Sequence, residues 1–192
     1  MKVRVLVAAC VAALSAGANA AVVLSDNFDA DAQGLNVVPA GWTVANAGTV
    51  DVIGTGFFDE IPGNGNYIDL DGSNGQAGLL TTSTGLLNGT YTATFQLGGN
   101  HRDGTTDLVT VQFGGASAVF SVGPNDAFTT YSLTTTANLE QLSLSFLDGR
   151  GGNVGALLDN VSISSAVPEP AGLPLLAAGV LGVAFAARRR RA

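Results

Sequence analysis

Cysteine and histidine are nearly absent from this chain of 192 residues, which contains one of each, Cys10 and His101. A single cysteine can form no internal disulfide. A zinc site or a Cys-His catalytic pair would need ligands or partners that the sequence lacks. There is no G-x-S-x-G motif, and the histidine lies in a glycine-flanked turn. These absences leave nucleophilic catalysis without an obvious set of residues.

Basic residues are also scarce. Six of the eight Lys and Arg residues lie within the first four or the last five positions. Between them only Arg102 and Arg150 remain, against every acidic residue except Glu169, which gives this region a net charge of −12 (2 − 14). Phosphate binding needs clustered Lys or Arg, so we expect no nucleic-acid partner. A divalent cation, or a glycan bound through neutral hydrogen bonds, fits better; solubility alone is the other explanation of the acidity.

The first 20 residues are typical of a secretory signal peptide. Lys2 and Arg4 form a basic n-region, residues 5–14 form an apolar h-region, and Ala18-Asn19-Ala20 is an A-x-A cleavage site. The run Val7-Ala8-Ala9-Cys10 resembles a bacterial lipobox, but too few residues precede it for a basic region and a full h-region. We therefore predict export, removal of residues 1–20 together with Cys10, and a mature chain that starts at Ala21.

The last 26 residues, 167–192, combine three features. Pro168, Glu169 and Pro170 precede an apolar run at residues 171–187, and Arg188, Arg189, Arg190 and Arg191 follow it. The run predicts one short transmembrane helix of about 25 Å, slightly less than the roughly 30 Å hydrocarbon layer. The arginines favour the cytoplasmic side of the inner membrane, so residues 21–166 lie across it. The prolines disfavour helix and keep their segment extended, as a protease requires.

These residues resemble the PEP-CTERM sorting signal of Gram-negative bacteria. The resemblance implies that a membrane-embedded exosortase recognises Pro168, Glu169 and Pro170, removes the tail, and delivers the protein to the cell surface or an exopolysaccharide matrix. A plain C-terminal membrane anchor with a proline-containing linker is the alternative.

Residues 21–166 are predicted to form one all-β domain, an antiparallel two-sheet sandwich. In residues 91–97 the aromatic and aliphatic side chains alternate with threonine and glutamine, as in a half-buried strand. Turns such as Asn88-Gly89, Gly114-Gly115 and Asp148-Gly149 are typical of hairpins. About ten short strands at this spacing favour a jelly roll. The other predicted strands are residues 21–24, 42–45, 50–53, 67–70, 78–81, 108–113, 118–122, 129–133, 142–146 and 157–163.

Both ends of this domain resemble the first and last strands of galactose-binding-like jelly rolls, which include many carbohydrate-binding modules. The resemblance rests on Ser25-Asp26-Asn27-Phe28-Asp29 followed by Gly41-Trp42, and on Ala156-Leu157-Leu158-Asp159-Asn160-Val161-Ser162-Ile163.

The same resemblance implies a structural calcium ion that joins the first strand to the last. Calcium takes six to eight oxygen ligands. If the terminal strands pair, carboxylates come from Asp26, Asp29, Asp31 and Asp159, and carbonyl oxygens from Asn27 or Asn160. The alternative is that these acids cap turns or face water.

Two loops contain candidate ligand contacts. Phe57 and Phe58 are adjacent in a long glycine-containing loop where both cannot easily be buried, and an exposed ring is a surface on which a sugar stacks. His101, Arg102 and Asp103 bring three polar groups together in one loop, where ligand contacts gather. An inward-folded phenylalanine and an ordinary surface turn are the respective alternatives.

The segment 69–74 resembles a calcium loop but lacks the third oxygen residue and the glutamate of an EF-hand. We interpret it as a hairpin turn.

Taken together, these features predict an exported, non-enzymatic protein of the cell surface or exopolysaccharide matrix, processed by an exosortase and able to bind carbohydrate. The alternative function is a small secreted glycan hydrolase or lyase, because acidic residues are plentiful and a pair of carboxylates is enough for glycoside hydrolysis.

The processing hypothesis predicts the intact mass of the protein recovered from the medium or cell surface. We expect a species that begins near Ala21 and ends near Pro168 to Pro170. Recovery of a species that retains Arg188 to Arg191 would instead identify an ordinary anchored protein.

Overall fold

The computed structural model describes residues 20–85, 88–139 and 141–166, and residues Ala20–Ala166 form one compact unit. The described residues contain eleven strands and no helix, which confirms the predicted all-β fold. The predicted signal peptide and transmembrane helix 171–187 lie outside the described residues. Within the described residues, no helix is long and apolar enough to cross a membrane. The strands are β1 (Val22–Asp26), β2 (Thr43–Ala45), β3 (Asp51–Gly54), β4 (Asn66–Asp69), β5 (Leu79–Gly85), β6 (Gly89–Gly98), β7 (Asp107–Phe113), β8 (Ala116–Val122), β9 (Thr129–Ala137), β10 (Gln141–Asp148) and β11 (Leu157–Ser165).

The strands form two sheets, and all of their pairings are antiparallel. The six-stranded sheet has the order β3-β4-β11-β6-β9, with β1 also paired to β11. The five-stranded sheet has the order β2-β5-β10-β7-β8. This arrangement confirms the predicted two-sheet sandwich.

Most connections cross from one sheet to the other. Among consecutive strands only β3–β4 and β7–β8 pair directly, and Gly114-Gly115 closes the tight β7–β8 hairpin. The hairpin predicted at segment 69–74 is therefore wrong, because β4 and β5 belong to different sheets. The turns at Asn88-Gly89 and Asp148-Gly149 also join different sheets. Glycine and asparagine permit a sharp reversal, but they do not decide which strand the chain then joins.

The main core fills the space between the sheets. The alternation predicted in β6 is observed: Tyr91, Ala93, Phe95 and Leu97 are all buried. Phe95 is fully buried and meets the ring of Phe146 edge-on, with ring centroids 5.1 Å apart. A core of this kind must stabilise the domain without help from a disulfide.

A second, smaller cluster covers part of the outer face of the six-stranded sheet. Ile53, Tyr67 and Leu157 form it, whereas their neighbours along the strands point into the main core. Phe57, Ile61 and Phe128 pack against it from the loops. The β3–β4 loop therefore folds back over the sheet instead of extending into solvent.

Strand β11 organises the six-stranded sheet. One of its edges pairs with β6, while the other pairs with β4 at Leu157 and Leu158 and then with β1 from Val161 onward. The register of β11 against β6 shifts between Asp159 and Ser162. β1 and β4 thus follow one another along the same edge, and the irregularity in β11 lies at their junction.

Replacement of Phe95 by alanine tests the core. We expect the free energy of unfolding to fall by about 3–5 kcal/mol, because the change removes a fully buried ring and leaves a cavity. Thr94→Ala, the next residue and on the opposite face of β6, is the matched control and should cost less than about 1 kcal/mol. Urea unfolding followed by the fluorescence of Trp42, the only tryptophan and buried, measures both. Equal losses for the two variants would contradict this description of the core.

Candidate functional site

The junction of β1, β4 and β11 brings three predicted calcium ligands together. The expected pairing of the terminal strands is observed, with Asp26 opposite Val161. Asp159 lies in the irregular part of β11 and is only 1% exposed. Burial, together with the nearby charges of Asp29 and Asp26, raises the pKa of Asp159 to about 6. The three carboxylates are therefore close enough to repel one another.

Each of these carboxylates also accepts hydrogen bonds from the surrounding chain. Asp26 accepts the Phe28 N–H at 2.9 Å and the Trp42 Nε1–H at 2.7 Å. Asp29 accepts the Asn66 N–H at 2.8 Å, which ties the first loop to the start of β4. These hydrogen bonds thus attach residues 26–42 to the core.

Two residues at this junction hold a backbone conformation that is uncommon outside glycine. Phe28, fully buried against Trp42, has φ 57°, and Asn160 has φ 49°. The Asn160 N–H donates to Asp159 Oδ1 at 2.6 Å and its side-chain amide donates to Oδ2 at 3.0 Å. Strain of this kind persists only where the surrounding structure enforces it.

The junction offers oxygen ligands, which suit calcium. In the described part of the chain, no group of three or more His, Cys, Asp or Glu side chains is arranged so that it could hold a metal ion. A calcium site here would need main-chain or amide oxygens beside the carboxylates. The predicted calcium therefore stays a prediction.

The β3–β4 loop separates the roles of the two adjacent phenylalanines. Phe57 is half-buried against the small cluster of Ile53, Tyr67 and Leu157, and its ring meets that of Phe58 edge-on at 4.8 Å. Phe58 has φ 50° and is 52% exposed. Phe57 thus anchors the pair, and Phe58 presents its ring to solvent.

Tyr67 fixes the rest of this loop. Its hydroxyl accepts the N–H groups of Glu60 at 2.5 Å and Ile61 at 2.9 Å, and donates to Asp59 Oδ1 at 3.1 Å. Burial raises the pKa of Tyr67 to about 12, so the hydroxyl stays protonated. The loop is therefore held from beneath by a buried side chain.

One contact brings the two predicted ligand-binding loops together. His101 Nε2 lies 3.4 Å from Glu60 Oε2, which joins the β6–β7 loop to the loop of Phe58. His101 is more than half exposed. His101, Glu60 and the exposed ring of Phe58 therefore belong to one loop surface, which we call the Phe58–His101 surface.

Arg102 and Asp103 have other partners. Arg102 lies 3.5 Å from the buried Asp69 carboxylate and donates to the Asn153 carbonyl at 3.1 Å. Asp103 accepts from Arg150 at 3.0 Å, and its hydrogen bonds with Thr105 lower its pKa. These two residues hold the β6–β7 loop against the β10–β11 loop, whereas His101 faces outward.

Sequence reasoning missed a set of buried carboxylates beneath these loops. Each of these aspartates lies at or beside a strand end and is at most 2% exposed. All except Asp71 accept a hydrogen bond from a backbone N–H group or from an arginine. Arg102 and Arg150, the two arginines of the described residues, both lie here. The repeated hydrophobic-Asp-Gly pattern at Leu70-Asp71-Gly72 and Leu147-Asp148-Gly149 was the available signal. We call this set the buried aspartate cluster; it comprises Asp51, Asp69, Asp71, Asp107 and Asp148.

Comparison with known families identifies the tail. Residues 166–191 match the PEP-CTERM protein-sorting motif. The motif marks an exported protein that is transiently anchored in the membrane before exosortase cleavage and ends on the cell surface or in the matrix. The predicted sorting signal and destination are confirmed. The Pro168-Glu169-Pro170 and Arg188 to Arg191 segments themselves lie outside the described residues.

Solved structures share the fold of residues 20–166 at low identity. The CBM22-1 xylan-binding domain of Xyn10C from Paenibacillus barcinonensis matches with a TM-score of 0.54 and 16% identity, covering 78% of this chain and 97% of that domain. The K3 cleaved adhesin domain of Lys-gingipain from Porphyromonas gingivalis matches with a TM-score of 0.53 and 16% identity, covering 77% and 100%. The CBM22-1–CBM22-2 tandem of the same Xyn10C matches with a TM-score of 0.53 and 17% identity, covering 80% of this chain and 49% of the tandem. No curated protein matches the chain. The predicted jelly-roll architecture is confirmed.

The raised pKa of Asp159 predicts a pH-dependent stability in the absence of divalent cations. The folded chain binds this proton more tightly than the unfolded chain, whose pKa is near 3.8. The raised pKa of Asp159 therefore adds roughly 1–3 kcal/mol to the free energy of unfolding below about pH 4. This stabilisation is lost as the pH rises through about 6. Asp159→Asn keeps one of the two acceptor oxygens and removes the titrating group, so it should flatten this part of the stability curve, measured by urea unfolding in chelator between pH 4 and 7.

The matched control is Asp126→Asn. Asp126 is exposed and accepts only within its own turn, from the Gly123 N–H at 2.7 Å. This variant should leave the slope unchanged. A wild-type slope that persists in Asp159→Asn would assign the pH dependence to other carboxyls.

Proposed function

We propose that residues 21–166 are the mature, non-enzymatic unit of an exported protein that binds polysaccharide at the cell surface or in the extracellular matrix. Residues 1–20 and the tail 167–192 are the segments removed on the way. The tail supports the destination. The single observation that carries the binding is the Phe58–His101 surface, where the loop that exposes the Phe58 ring also holds Glu60 in contact with His101.

The chemistry of this surface suits a neutral sugar. An aromatic ring supplies a flat apolar contact for one face of a pyranose, while nearby polar groups supply hydrogen bonds that orient it. Glu60 accepts hydrogen bonds, and His101 donates or accepts according to its tautomer. Because Tyr67 and Phe57 fix the loop from beneath, binding requires little ordering of the chain. The xylan-binding domain of similar fold supports a carbohydrate as the ligand class.

Catalysis by a carboxylate pair has less support. Glycoside hydrolysis needs one carboxyl that keeps its proton near neutral pH and can reach the substrate. In the described residues, the carboxyls with raised pKa are Asp69, Asp71, Asp107, Asp148 and Asp159. All five are at most 2% exposed, so a substrate has no direct access to them.

A calcium ion at the junction of the terminal strands is part of the same proposal. Asp26, Asp29 and Asp159 approach one another there without a basic partner among the described residues, and a divalent cation would offset their repulsion. Its role would be structural: it would hold β1 to β11.

Calcium titration of the exported protein tests this junction. We expect Asp159→Asn to bind one calcium ion fewer than the wild type, since the variant loses a charged ligand, whereas Asp126→Asn should bind the same number. An unchanged number of bound ions in Asp159→Asn would remove calcium from this junction.

Affinity electrophoresis in gels that contain the cell's own exopolysaccharide tests binding. We expect the wild type to be retained and Phe58→Ala to bind about tenfold more weakly, a loss of roughly 1.4 kcal/mol, because the stacking surface is gone. Phe58→Tyr keeps the ring and should retain binding. Val38→Ala, which shortens a side chain that is similarly exposed, should have no effect.

Two outcomes would overturn parts of the proposal. A wild type that is not retained at all leaves a purely structural matrix protein. Release of oligosaccharides from the same polysaccharide, abolished when loop Asp or Glu residues are neutralised, would identify the hydrolase or lyase instead.

A further inference from the structure

Three members of the buried aspartate cluster, Asp51, Asp71 and Asp148, form no ion pair with a basic side chain among the described residues. Asp51 instead accepts hydrogen bonds from Asn36 and Ser73. Arg102 pairs with Asp69, and Arg150 pairs with Asp103 and Asp107. Asp71 and Asp148 form no ion pair with either arginine or with His101. These two buried carboxylates lie close together, and the Arg150 guanidinium acts on them only from a distance, without an ion pair to either. Burial of carboxylates without a paired charge is costly in a region of low dielectric.

Asp71 is the more unusual of the two. The residue is fully buried, and neither carboxylate oxygen has a hydrogen-bond partner. The other members of the cluster all accept at least one hydrogen bond. A buried carboxylate without any partner is rare in folded proteins and requires an explanation.

The two carboxylates converge on the glycine-rich β10–β11 loop, residues 149–156. Asp71 Oδ2 lies 3.3 Å from the position that a Cβ of residue 152 would take. A Cβ at position 155 would lie 2.7 Å from the Asp71 Cβ and 3.1 Å from Asp148 Oδ2. The absence of a side chain at position 155 thus lets this loop approach Asp71 closely, and both carboxylates lie against the loop backbone.

Protonation alone does not explain this arrangement. A neutral carboxyl carries an O–H donor, which would also need a partner, and Asp71 has none. Burial, together with the charges of Asp148 and Asp51, raises the pKa of Asp71 to about 6. Asp148 gives up one lone pair per oxygen to the N–H groups of Arg150 and Ala156, at 3.0 and 2.9 Å, and keeps the others. A positive group between the two carboxylates would satisfy both.

We propose that Asp71 and Asp148 bind a calcium ion at the β10–β11 loop, at a site separate from the junction of the terminal strands. The cluster contains neither histidine nor cysteine, so it is unsuited to zinc. Calcium accepts six to eight oxygens in irregular geometry, including the backbone carbonyls that a glycine-rich loop exposes, whereas magnesium requires a regular octahedron and keeps its waters.

The position gives such an ion a structural consequence. Asp71 belongs to the β4–β5 connection, and Asp148 ends β10 and begins the β10–β11 connection. Both connections cross between the two sheets, so one ion would clamp the sheets together at this end. Arg102, bound to the Asn153 carbonyl, extends the clamp to the loop of His101.

The test uses protein exported by cells that express the full chain, purified, stripped with EDTA and titrated with CaCl2 alone by calorimetry. We expect Asp71→Asn to bind one calcium ion fewer than the wild type, and MgCl2 to leave this site empty. Asp126→Asn is the control and should bind the wild-type number. Equal numbers for the wild type and Asp71→Asn overturn the proposal, and so does magnesium binding of equal strength.

Stability provides a second readout that a purely structural role would not give. In chelator, Asp71→Asn should have a melting temperature equal to or above that of the wild type, because an uncompensated buried charge is removed. In saturating calcium the order should reverse. A variant that is less stable than the wild type by the same amount in both conditions overturns the proposal.

Hydrogen exchange of the wild type keeps the proposal testable if Asp71→Asn does not fold. Calcium should slow amide exchange at residues 149–156, and should do so also in Asp159→Asn, which separates this site from the terminal junction. Exchange in this loop that is unaffected by calcium overturns the proposal. None of these outcomes depends on polysaccharide binding.

Discussion

The pairing of the first strand with the last is the constraint on which the rest of the domain depends. β11 contacts β6 on one edge and both β4 and β1 on the other, so four strands meet along nine residues of the chain. No disulfide is available to hold the ends. The hydrogen bonds that Asp26 accepts from the Phe28 N–H and the Trp42 Nε1–H help to hold them, since these bonds attach the first loop to the main core. The register of β11 against β6 shifts between Asp159 and Ser162, beside the point where the opposite edge passes from β4 to β1.

Acidic residues are used in this fold as structural groups as well as surface charge. Six aspartates are at most 2% exposed, and most of them accept backbone N–H groups at strand ends and loops. With only two arginines available, both placed beside the buried aspartate cluster, the fold cannot compensate every buried carboxylate with a basic side chain. Hydrogen bonds to the backbone offset part of the cost. Asp71 accepts no such hydrogen bond, so the cost of burying its carboxylate is not offset in this way.

The strands were predictable because alternation is a local property, and every segment predicted as a strand overlaps an observed one. The sheet to which each strand belongs was not predictable. A turn such as Asn88-Gly89 has the same chemistry whether the next strand pairs with the preceding one or crosses to the other sheet. The proximity of Asp26, Asp29 and Asp159 followed from a resemblance that implied pairing of the ends. The buried aspartates escaped prediction since burial of a carboxylate depends on distant partners, such as Ser73 and Asn36 for Asp51. The link between His101 and Glu60 is likewise a long-range contact.

The proposed calcium sites would connect this charge distribution to the sorting signal. A protein exported through a membrane folds on the far side, and a ligand that binds only the folded state stabilises it in proportion to its concentration. Extracellular modules bind calcium with constants near 10⁻⁴–10⁻³ M, whereas cytosolic sensors respond at 10⁻⁷–10⁻⁵ M. Carboxylates that repel one another would therefore weaken the fold before export, where calcium is scarce. Calcium bound between them would strengthen the fold after export. Buried acids that lack a basic partner would therefore suit a chain whose tail sends it to the cell surface, where calcium is available.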